Sequence, residues 1–183
     1  MRVALDADDV TRGLRRVAGE IVERHRGASE LVIVGVRRGG EVVAGPLRGF
    51  LEDLEKRTIP HGSIDITLYR DDAATALPNP KIGPSEIPGT IDDKKVILVD
   101  DVLFTGRTIR AALDALLDYG RPRCIELCAL VDRGGRELPI QPDYLVRKIE
   151  IAPSEKIDVI ETDRGIEAII QPKNAPSIPP KSP

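Results

Sequence analysis

Two adjacent carboxylates followed by a short loop are the residues of this chain best suited to chemistry. Asp100 and Asp101 come directly after four apolar residues, Val96–Val99, that predict a buried strand. The stretch 102–108 then supplies two threonines and a glycine before an amphipathic run at helical spacing. Ligands of open parallel sheets bind at the carboxyl ends of the strands. We therefore expect a ligand site at this strand-to-helix connection.

The loop fits a phosphate, and the acids fit a sugar beside it. Thr105 and Thr108 can donate hydroxyl hydrogen bonds, and Gly106 lets the backbone approach an anion closely. Free N–H groups at a helix start also favour negative charge. Asp100 and Asp101 would repel a phosphate, but they can accept hydrogen bonds from ribose hydroxyls or act on Mg²⁺ through water. The bland alternative is an ordinary turn with an acidic start, which the full run over 96–108 disfavours.

A second loop has the composition of an anion site. Residues 35–40 read Gly-Val-Arg-Arg-Gly-Gly and follow a predicted buried strand, Leu31–Val36. Exposed N–H groups beside an arginine are what pyrophosphate binding needs. On its own this loop would equally be a glycine-rich turn with solvated arginines, so the interpretation depends on the run at 96–108.

Several blocks of sequence resemble one enzyme superfamily. The run 96–108 resembles the phosphoribosyl diphosphate (PRPP) motif of type I phosphoribosyltransferases. The blocks 64–72, 109–116, 131–134 and 136–140 are similar to the PyrR family, bacterial regulators of pyrimidine-operon attenuation that are also uracil phosphoribosyltransferases. The resemblance covers residues 10–171. It implies an α/β fold with a central, mostly parallel sheet flanked by helices, a flexible active-site loop and a small hood.

This resemblance implies a role for each motif. Asp100 and Asp101 would be the catalytic acids and would hold Mg²⁺, the implied cofactor. The PRPP contacts would come from Val102, Leu103, Phe104, Thr105, Gly106, Arg107 and Thr108. The pyrophosphate contacts would come from Arg37, Arg38, Gly39 and Arg70. The family usually has Thr-Arg-Gly where this chain has Arg-Gly-Gly at 38–40, which leaves open which arginine contacts pyrophosphate.

Phe104 favours a pyrimidine as the base. Enzymes that act on 6-oxopurines have a similar motif but carry an aspartate at this position, which serves N7 of the purine. An aromatic side chain cannot move that proton, but it can pack near a pyrimidine ring. The resemblance also places Arg133 and the backbone near Ile157 beside the base. Uracil, PRPP and UMP are therefore the expected ligands.

The regulatory half of the resemblance is weaker. Members of the family bind a messenger-RNA leader through a basic face that uses two histidines, and this chain has Gly19 and Gly135 at those positions. Arg12, Arg15 and Arg16 keep the first helix basic, which suits salt-dependent binding of RNA phosphates but not sequence readout. The same arginines would also suit a solvated helix face.

Composition and pattern set the frame around these motifs. The 183 residues are 41% hydrophobic and 31% charged, with a formal net charge of −3, as in ordinary globular proteins. We expect one domain over 1–171, containing a flexible loop at 71–94, and a disordered proline-rich tail at 172–183. The chain lacks an apolar run of transmembrane length and a signal-peptide core, so we expect a cytoplasmic protein without a membrane partner. The family resemblance adds a homo-oligomer, a dimer or a tetramer.

Alternating strands and helices should position the site residues. Asp6, Asp8 or Asp9 is expected to cap a first helix. Further helices are predicted at 41–56 and 109–119, and strands at 31–36, 63–69, 96–99, 124–131 and near 143–151, 156–162 and 166–170.

Three functions remain open at this point. The first is a uracil phosphoribosyltransferase, with or without RNA regulation. The second is a non-catalytic, nucleotide-sensing RNA-binding regulator that uses the same pocket. The third is a phosphoribosyltransferase for another base, which Phe104 disfavours for 6-oxopurines. The absent histidines favour the enzyme.

Overall fold

A parallel sheet lies at the centre of the computed structural model, which describes residues 1–69 and 85–176. The elements in chain order are β1 (Arg2–Leu5), α1 (Ala7–His25), β2 (Leu31–Val36), α2 (Gly39–Glu55), β3 (His61–Ile64), β4 (Lys95–Leu103), α3 (Arg107–Leu117), β5 (Cys124–Asp132), β6 (Tyr144–Lys148), β7 (Glu155–Thr162) and β8 (Gly165–Pro172). The central sheet has the order β3-β2-β4-β5-β6, and every neighbouring pair is parallel. The expected α/β fold with a parallel central sheet is confirmed.

Both faces of the central sheet are buried by helices. Successive side chains of β4 alternate between two cores, because side chains of a strand point to opposite faces. Ile97 and Val99 pack with α1 and α2, whereas Val96 and Leu98 pack with α3. This two-sided burial explains why the strand has a continuous apolar sequence. In the described part of the chain, no helix combines the length and apolarity needed to cross a bilayer.

A small antiparallel sheet forms the hood. Its order is β1-β8-β7, and β7 contacts the central strand β4. Strand β1 was not predicted, because four residues are too short for periodicity to distinguish them. Its structure comes from pairing with β8, where Arg2 lies opposite Ile170.

Helix and strand ends differ from the predictions for local reasons. Asp6 caps α1, accepting a hydrogen bond from the Asp9 N–H at 2.7 Å. Helix α2 begins at Gly39, two residues before the predicted start, where the Glu41 carboxylate accepts from the Arg38 N–H at 3.1 Å. The strand predicted over 63–69 is wrong beyond Ile64: the Asp65 side chain accepts a hydrogen bond from the Thr67 N–H and turns the chain.

Strand β4 is longer than predicted, which changes the place of the acidic pair. It continues past Val99 to Leu103, because β5 runs beside it as far as Asp132 and extends the ladder of hydrogen bonds. Asp100 lies opposite Ala129 in this ladder. The expectation that the acids follow the strand is therefore wrong. They lie among the last residues of β4, where the strand is paired with β5 alone.

The described part of the segment 71–94 is a loop that packs against the domain. Residues 85–94 are described, and there Ile91 is fully buried while Glu86 forms a bridge with Ser63. This part is packed against the domain, the flexibility expected of 71–94 stays a prediction, and 71–84 lies outside the described residues.

The predicted tail begins inside β8. This strand includes Pro172, and the Gln171 side chain donates a hydrogen bond to the Pro176 carbonyl at 3.2 Å. The rest of the predicted tail, 177–183, lies outside the described residues.

Packing of α1 on β6 generates the first prediction. A Cβ added at Gly13 would lie 2.2 Å from Val146 Cγ1, whereas one added at Gly19 of the same helix would meet nothing within 4 Å. Gly13→Ala should lower the free energy of unfolding by about 1–3 kcal/mol through overpacking, despite the better helix propensity of alanine. Urea denaturation at equilibrium measures this change.

Gly19→Ala is the matched control and should raise the free energy of unfolding by roughly 0.5–1 kcal/mol. Adding Val146→Ala to Gly13→Ala should recover part of the loss, because it removes the crowded methyl groups. Equal stabilisation by both glycine substitutions would contradict this description of the α1–β6 contact.

Candidate active site

The two loops expected to bind the ligand meet at the carboxyl ends of β2 and β4. A Cβ at Gly39 would lie 2.1 Å from Asp101 Oδ2, and one at Gly40 would lie 2.2 Å from the Val99 carbonyl oxygen. Neither position has room for a side chain, so the start of α2 rests directly on the end of β4. The structure thus brings the glycine-rich loop into contact with the acidic pair.

The acidic pair is partly withdrawn from water, with Asp100 buried and Asp101 half-buried. Asp100 is only 4% exposed, and one of its carboxylate oxygens accepts from the Asp101 N–H at 3.0 Å. Burial, then the neighbouring charge of Asp101, raises the pKa of Asp100 well above its usual range. Burial also raises the pKa of Asp101, against a hydrogen bond from the Val102 N–H, and the charge of Asp158 on β7 adds to the rise.

Such a pair suits a divalent cation, because a cation relieves the cost of two buried adjacent negative charges. Asp100 and Asp101 are the side chains that could hold it. Among the described residues there is no group of three or more histidine, cysteine or acidic side chains placed to bind a metal. A metal here would therefore take its remaining ligands from water or substrate oxygens, as Mg²⁺ commonly does.

The loop after β4 presents a helix start. Gly106, at φ 91°, precedes α3, and the Thr105 hydroxyl accepts from the Arg107 N–H at 3.3 Å. The first N–H groups of a helix have no acceptor within the helix and can bind an anion. Leu103 is buried in the core and can contribute to a site only through its backbone, while Thr108 is half-buried in the first turn of α3.

A further loop covers this one. We call residues 133–140 the cover loop. The Thr105 carbonyl accepts from the N–H groups of Glu137 at 2.9 Å and Leu138 at 3.1 Å, and the Leu103 carbonyl accepts from the Arg133 N–H at 3.1 Å. An ion pair of 2.6 Å between Arg107 Nε and the Glu137 carboxylate adds a contact at the surface. The carbonyl oxygens of the loop after β4 therefore face the cover loop.

Two of the residues expected at the base lie together. The Arg133 guanidinium carbon stands 3.8 Å from the centroid of the Phe104 ring, which is 37% exposed. Within the described residues, Arg133 Nε is buried and has no hydrogen-bond partner, and burial lowers the pKa of this arginine. Ile157 lies on β7 with its side chain in the core, so only its backbone is available to a ligand.

Gly135 is held against the same aromatic ring. It has a φ of 78°, and a Cβ there would lie 2.5 Å from a carbon of the Phe104 ring. A side chain at 135 would require the ring or the backbone to move. Gly19, by contrast, faces open space on α1.

The arginines expected at pyrophosphate have different environments. Arg37 stands 3.6 Å from Glu41 across one turn, and its N–H donates to the Ile64 carbonyl at 2.8 Å. Arg38 is exposed and adopts a φ of 81° at the N-cap of α2. Arg70 lies outside the described residues. The geometry keeps both Arg37 and Arg38 next to the start of α2.

The arginines expected at RNA lie on α1 and make contacts within the protein. Arg12 pairs with Asp9 at 2.8 Å, and Arg15 stacks 5.1 Å from the centroid of the Phe50 ring. Arg16 donates to the backbone carbonyls of Leu145 and Val146. The contacts of Arg12 and Arg16 occupy N–H donors that a fully solvated face would leave to RNA phosphates.

Sequence reasoning gave Arg136 no role, although the structure places it at the centre of the cover loop. It pairs with Asp132 at 2.6 Å, and both side chains are nearly buried. Burial raises the pKa of Asp132, but hydrogen bonds from Arg136 and the Gly134 N–H outweigh it and lower the pKa overall. The spacing of four between an acid and an arginine was the one signal in the sequence.

Comparison with known proteins agrees with this geometry. The phosphoribosyl transferase domain family matches residues 5–163. A protein named Bifunctional protein PyrR from Geobacter sulfurreducens is 51% identical over 158 residues, covering 86% of this chain and 89% of its own. A protein of the same name from Deinococcus radiodurans is 49% identical over 161 residues, covering 87% and 88%.

More distant solved structures share the fold. The hypoxanthine phosphoribosyltransferase of Trypanosoma cruzi superposes with a TM-score of 0.70 at 18% identity, covering 94% of this chain and 98% of its own. A hypoxanthine-guanine phosphoribosyltransferase from Bacillus anthracis gives 0.67 at 19% identity, covering 92% and 98%. The family match and the two PyrR relatives cover most of the chain. This chain therefore belongs to the phosphoribosyltransferase family and, within it, to the PyrR proteins.

Proposed function

We propose that this protein transfers the phosphoribosyl group of PRPP to uracil, which yields UMP and pyrophosphate. The observation that carries the proposal is the contact of Asp101 with Gly39. It joins a pair of acids suited to ribose hydroxyls to a helix start suited to pyrophosphate. The loop after β4 supplies a third subsite beside them, where the N–H groups around Gly106 fit the 5-phosphate.

The residues present fit the needs of this transfer. The bond from the anomeric carbon to pyrophosphate breaks, the bond to the uracil nitrogen forms, and the proton that this nitrogen loses passes to pyrophosphate or water. Asp100 and Asp101 accept hydrogen bonds from the ribose hydroxyls, and their negative charge stabilises the cationic sugar of the transition state. Arg37 or Arg38, with the N–H groups at the start of α2, neutralises the departing pyrophosphate, and we propose Arg70 as a further contact.

Mg²⁺ is the cofactor that we propose for the acidic pair. When bound, it would neutralise charge on the pyrophosphate oxygens and on the two carboxylates. The raised pKa of both acids supports this assignment, since a neighbouring cation would favour their ionised forms.

We propose that Phe104 and Arg133 select the base. The exposed ring of Phe104 can pack near uracil, and the buried, unpaired Nε of Arg133 among the described residues can donate to a carbonyl of the base. The distant structural relatives act on hypoxanthine by name, but an aromatic side chain at 104 cannot serve the N7 proton of a purine.

Regulation through RNA is a second candidate function. The relatives are named bifunctional, and α1 keeps Arg12, Arg15 and Arg16 on one helix. The contacts of these arginines within the protein and the glycines at 19 and 135 favour weak binding of RNA phosphates over sequence readout. We further propose a cytoplasmic homo-oligomer, a dimer or a tetramer, as in the resembling family. A sensor without catalysis would use the same pocket.

The base specificity can be measured directly. With PRPP and Mg²⁺, uracil should give UMP and pyrophosphate, whereas hypoxanthine, xanthine and orotate should give no nucleotide. Chromatography of the products in parallel reactions tests this. If UMP binds but no base reacts, the non-catalytic sensor is correct. A faster reaction with hypoxanthine would contradict the role of Phe104.

Substitution of the acids should separate activity from stability. Asp100→Asn and Asp101→Asn should each lower kcat/KM for PRPP by roughly ten- to a hundredfold, through loss of a charge-assisted hydrogen bond. A carboxyl whose pKa is raised by folding destabilises the fold once the pH exceeds its ordinary pKa. Asp100→Asn should therefore raise the Tm at pH 7. This gain should shrink as the pH falls from the raised pKa of Asp100 in the folded protein towards its ordinary pKa.

The matched control is Asp114→Asn, which removes an exposed carboxylate on α3 that pairs with Arg110. It should leave kcat/KM unchanged. Wild-type kinetics in both substitutions of the pair would remove these acids from the site, and a lower Tm for Asp100→Asn would contradict the electrostatic description.

RNA binding should be weak and nonspecific. Phosphate contacts without base contacts give an affinity that falls steeply with salt and barely distinguishes sequences. Filter binding of a pyrimidine-operon leader and of a scrambled RNA, at low and physiological salt, measures both properties. A preference of roughly a hundredfold for the leader, strengthened by UMP, would correspond to one or more true base contacts and would show a working attenuator.

A further inference from the structure

We infer that Arg136 is a positioning residue for the phosphate subsite: it holds the carbonyl oxygens of Leu103 and Phe104 away from the ligand and so aims the neighbouring N–H groups at the phosphate. This inference rests on the proposed function for the identity of the subsite. Arg136 itself stays behind the loop.

Every N–H donor of the Arg136 guanidinium has an acceptor within the protein. Nε donates to the Ile140 carbonyl at 2.8 Å, and one Nη1 N–H donates to the Phe104 carbonyl at 2.9 Å. The remaining donors reach Leu103 and Gln141 at 3.5 Å each and Asp132 at 2.6 Å. An arginine has five N–H donors, and each has an acceptor here. Because the side chain is only 14% exposed, Arg136 has no donor left for a substrate.

The consequence for the loop follows from peptide geometry. In a planar trans peptide, the carbonyl and the N–H of one unit point in opposite directions. The Phe104 carbonyl accepts a hydrogen bond from Arg136. The Thr105 carbonyl accepts hydrogen bonds from backbone N–H groups of the cover loop, on the same side. The N–H groups of Thr105 and Gly106 must then point to the other side. Consecutive N–H groups aimed at one point form an anion site, whereas exposed carbonyls would repel a phosphate.

Asp132 holds the Arg136 side chain in place. It is the last residue of β5, the strand beside β4. Its ion pair with Arg136 therefore joins the ends of two neighbouring strands. Its second oxygen accepts from the Gly134 N–H at 2.9 Å, which also holds the start of the cover loop. The position of the phosphate subsite is thus set by contacts with the central sheet rather than by the loop alone.

The experiment compares ligands with and without a phosphate. Calorimetric titrations of UMP and uridine into the full-length protein give the part of the affinity that depends on the phosphate. Arg136→Gln should weaken UMP by roughly tenfold or more, through misdirected N–H groups, and should leave uridine within about twofold. In turnover assays the same variant should raise the KM for PRPP more than the KM for uracil.

Two further variants keep the result decisive if Arg136→Gln folds poorly. Arg136→Lys retains the charge but cannot reach the separate acceptors at once, so it should lose phosphate affinity nearly as much. Asp132→Asn should give a smaller loss of the same kind. The matched control is Arg121→Gln, at the opposite edge of the sheet before β5, which should change neither affinity.

The outcomes separate this inference from the proposed function. Equal weakening of UMP and uridine, full rescue by Arg136→Lys, or unchanged UMP affinity would each overturn the positioning role. Ribose 5-phosphate provides a probe that does not depend on the base. If the wild type binds ribose 5-phosphate while no base reacts, the proposed transfer fails. The effect of Arg136→Gln on that binding then still decides the inference.

Discussion

The rest of the site depends on a pair of carboxylates, one buried and one half-buried, near the end of an apolar strand. Asp100 and Asp101 repel each other in a place with little water, and N–H groups of β4 donate hydrogen bonds that partly compensate their charge. Hydrophobic residues of similar size would suit the strand better. Sites that oppose the stability of a fold in this way are commonly functional. The glycines at 39 and 40 follow from the same constraint, since α2 must begin directly on top of these acids.

Parallel neighbours give this arrangement its rigidity. Strands β2, β4 and β5 end at one edge of the sheet, and each end supplies one part of the site. The start of α2 follows β2, the acids lie on β4, and Asp132 ends β5 and holds Arg136. Because these strand ends are adjacent, the loops that follow them lie close enough to form direct contacts with each other. The proposed phosphate and pyrophosphate subsites can therefore be held apart at a fixed distance by backbone hydrogen bonds, without a dedicated domain.

The sequence predicted what depends on local pattern and missed what depends on pairing. Strand β2 was predicted at its observed bounds, since its burial on both faces leaves a continuous apolar run. Strand β1 and the extension of β4 to Leu103 exist because a partner strand lies beside them, and periodicity cannot show a partner. Among the site residues, Asp101 and Gly39 were named from motifs, but their contact was not predictable. Arg136 was given no role because three of its acceptors are backbone carbonyls, which have no sequence signature, and its spacing of four from Asp132 is not specific on its own.

The base pocket and the proposed RNA face are linked by one steric contact. Phe104 occupies the space that a side chain at 135 would need, and the positive φ of Gly135 disfavours any residue other than glycine. The ring is in turn held under Arg133, whose Nε is buried and, among the described residues, has no hydrogen-bond partner. A histidine at 135 would push on the ring and so disturb the proposed pocket for uracil. In this chain, the packing around Phe104 that would shape the proposed pocket therefore disfavours an RNA-reading side chain at 135, whereas Gly19 lies in open space and carries no such constraint.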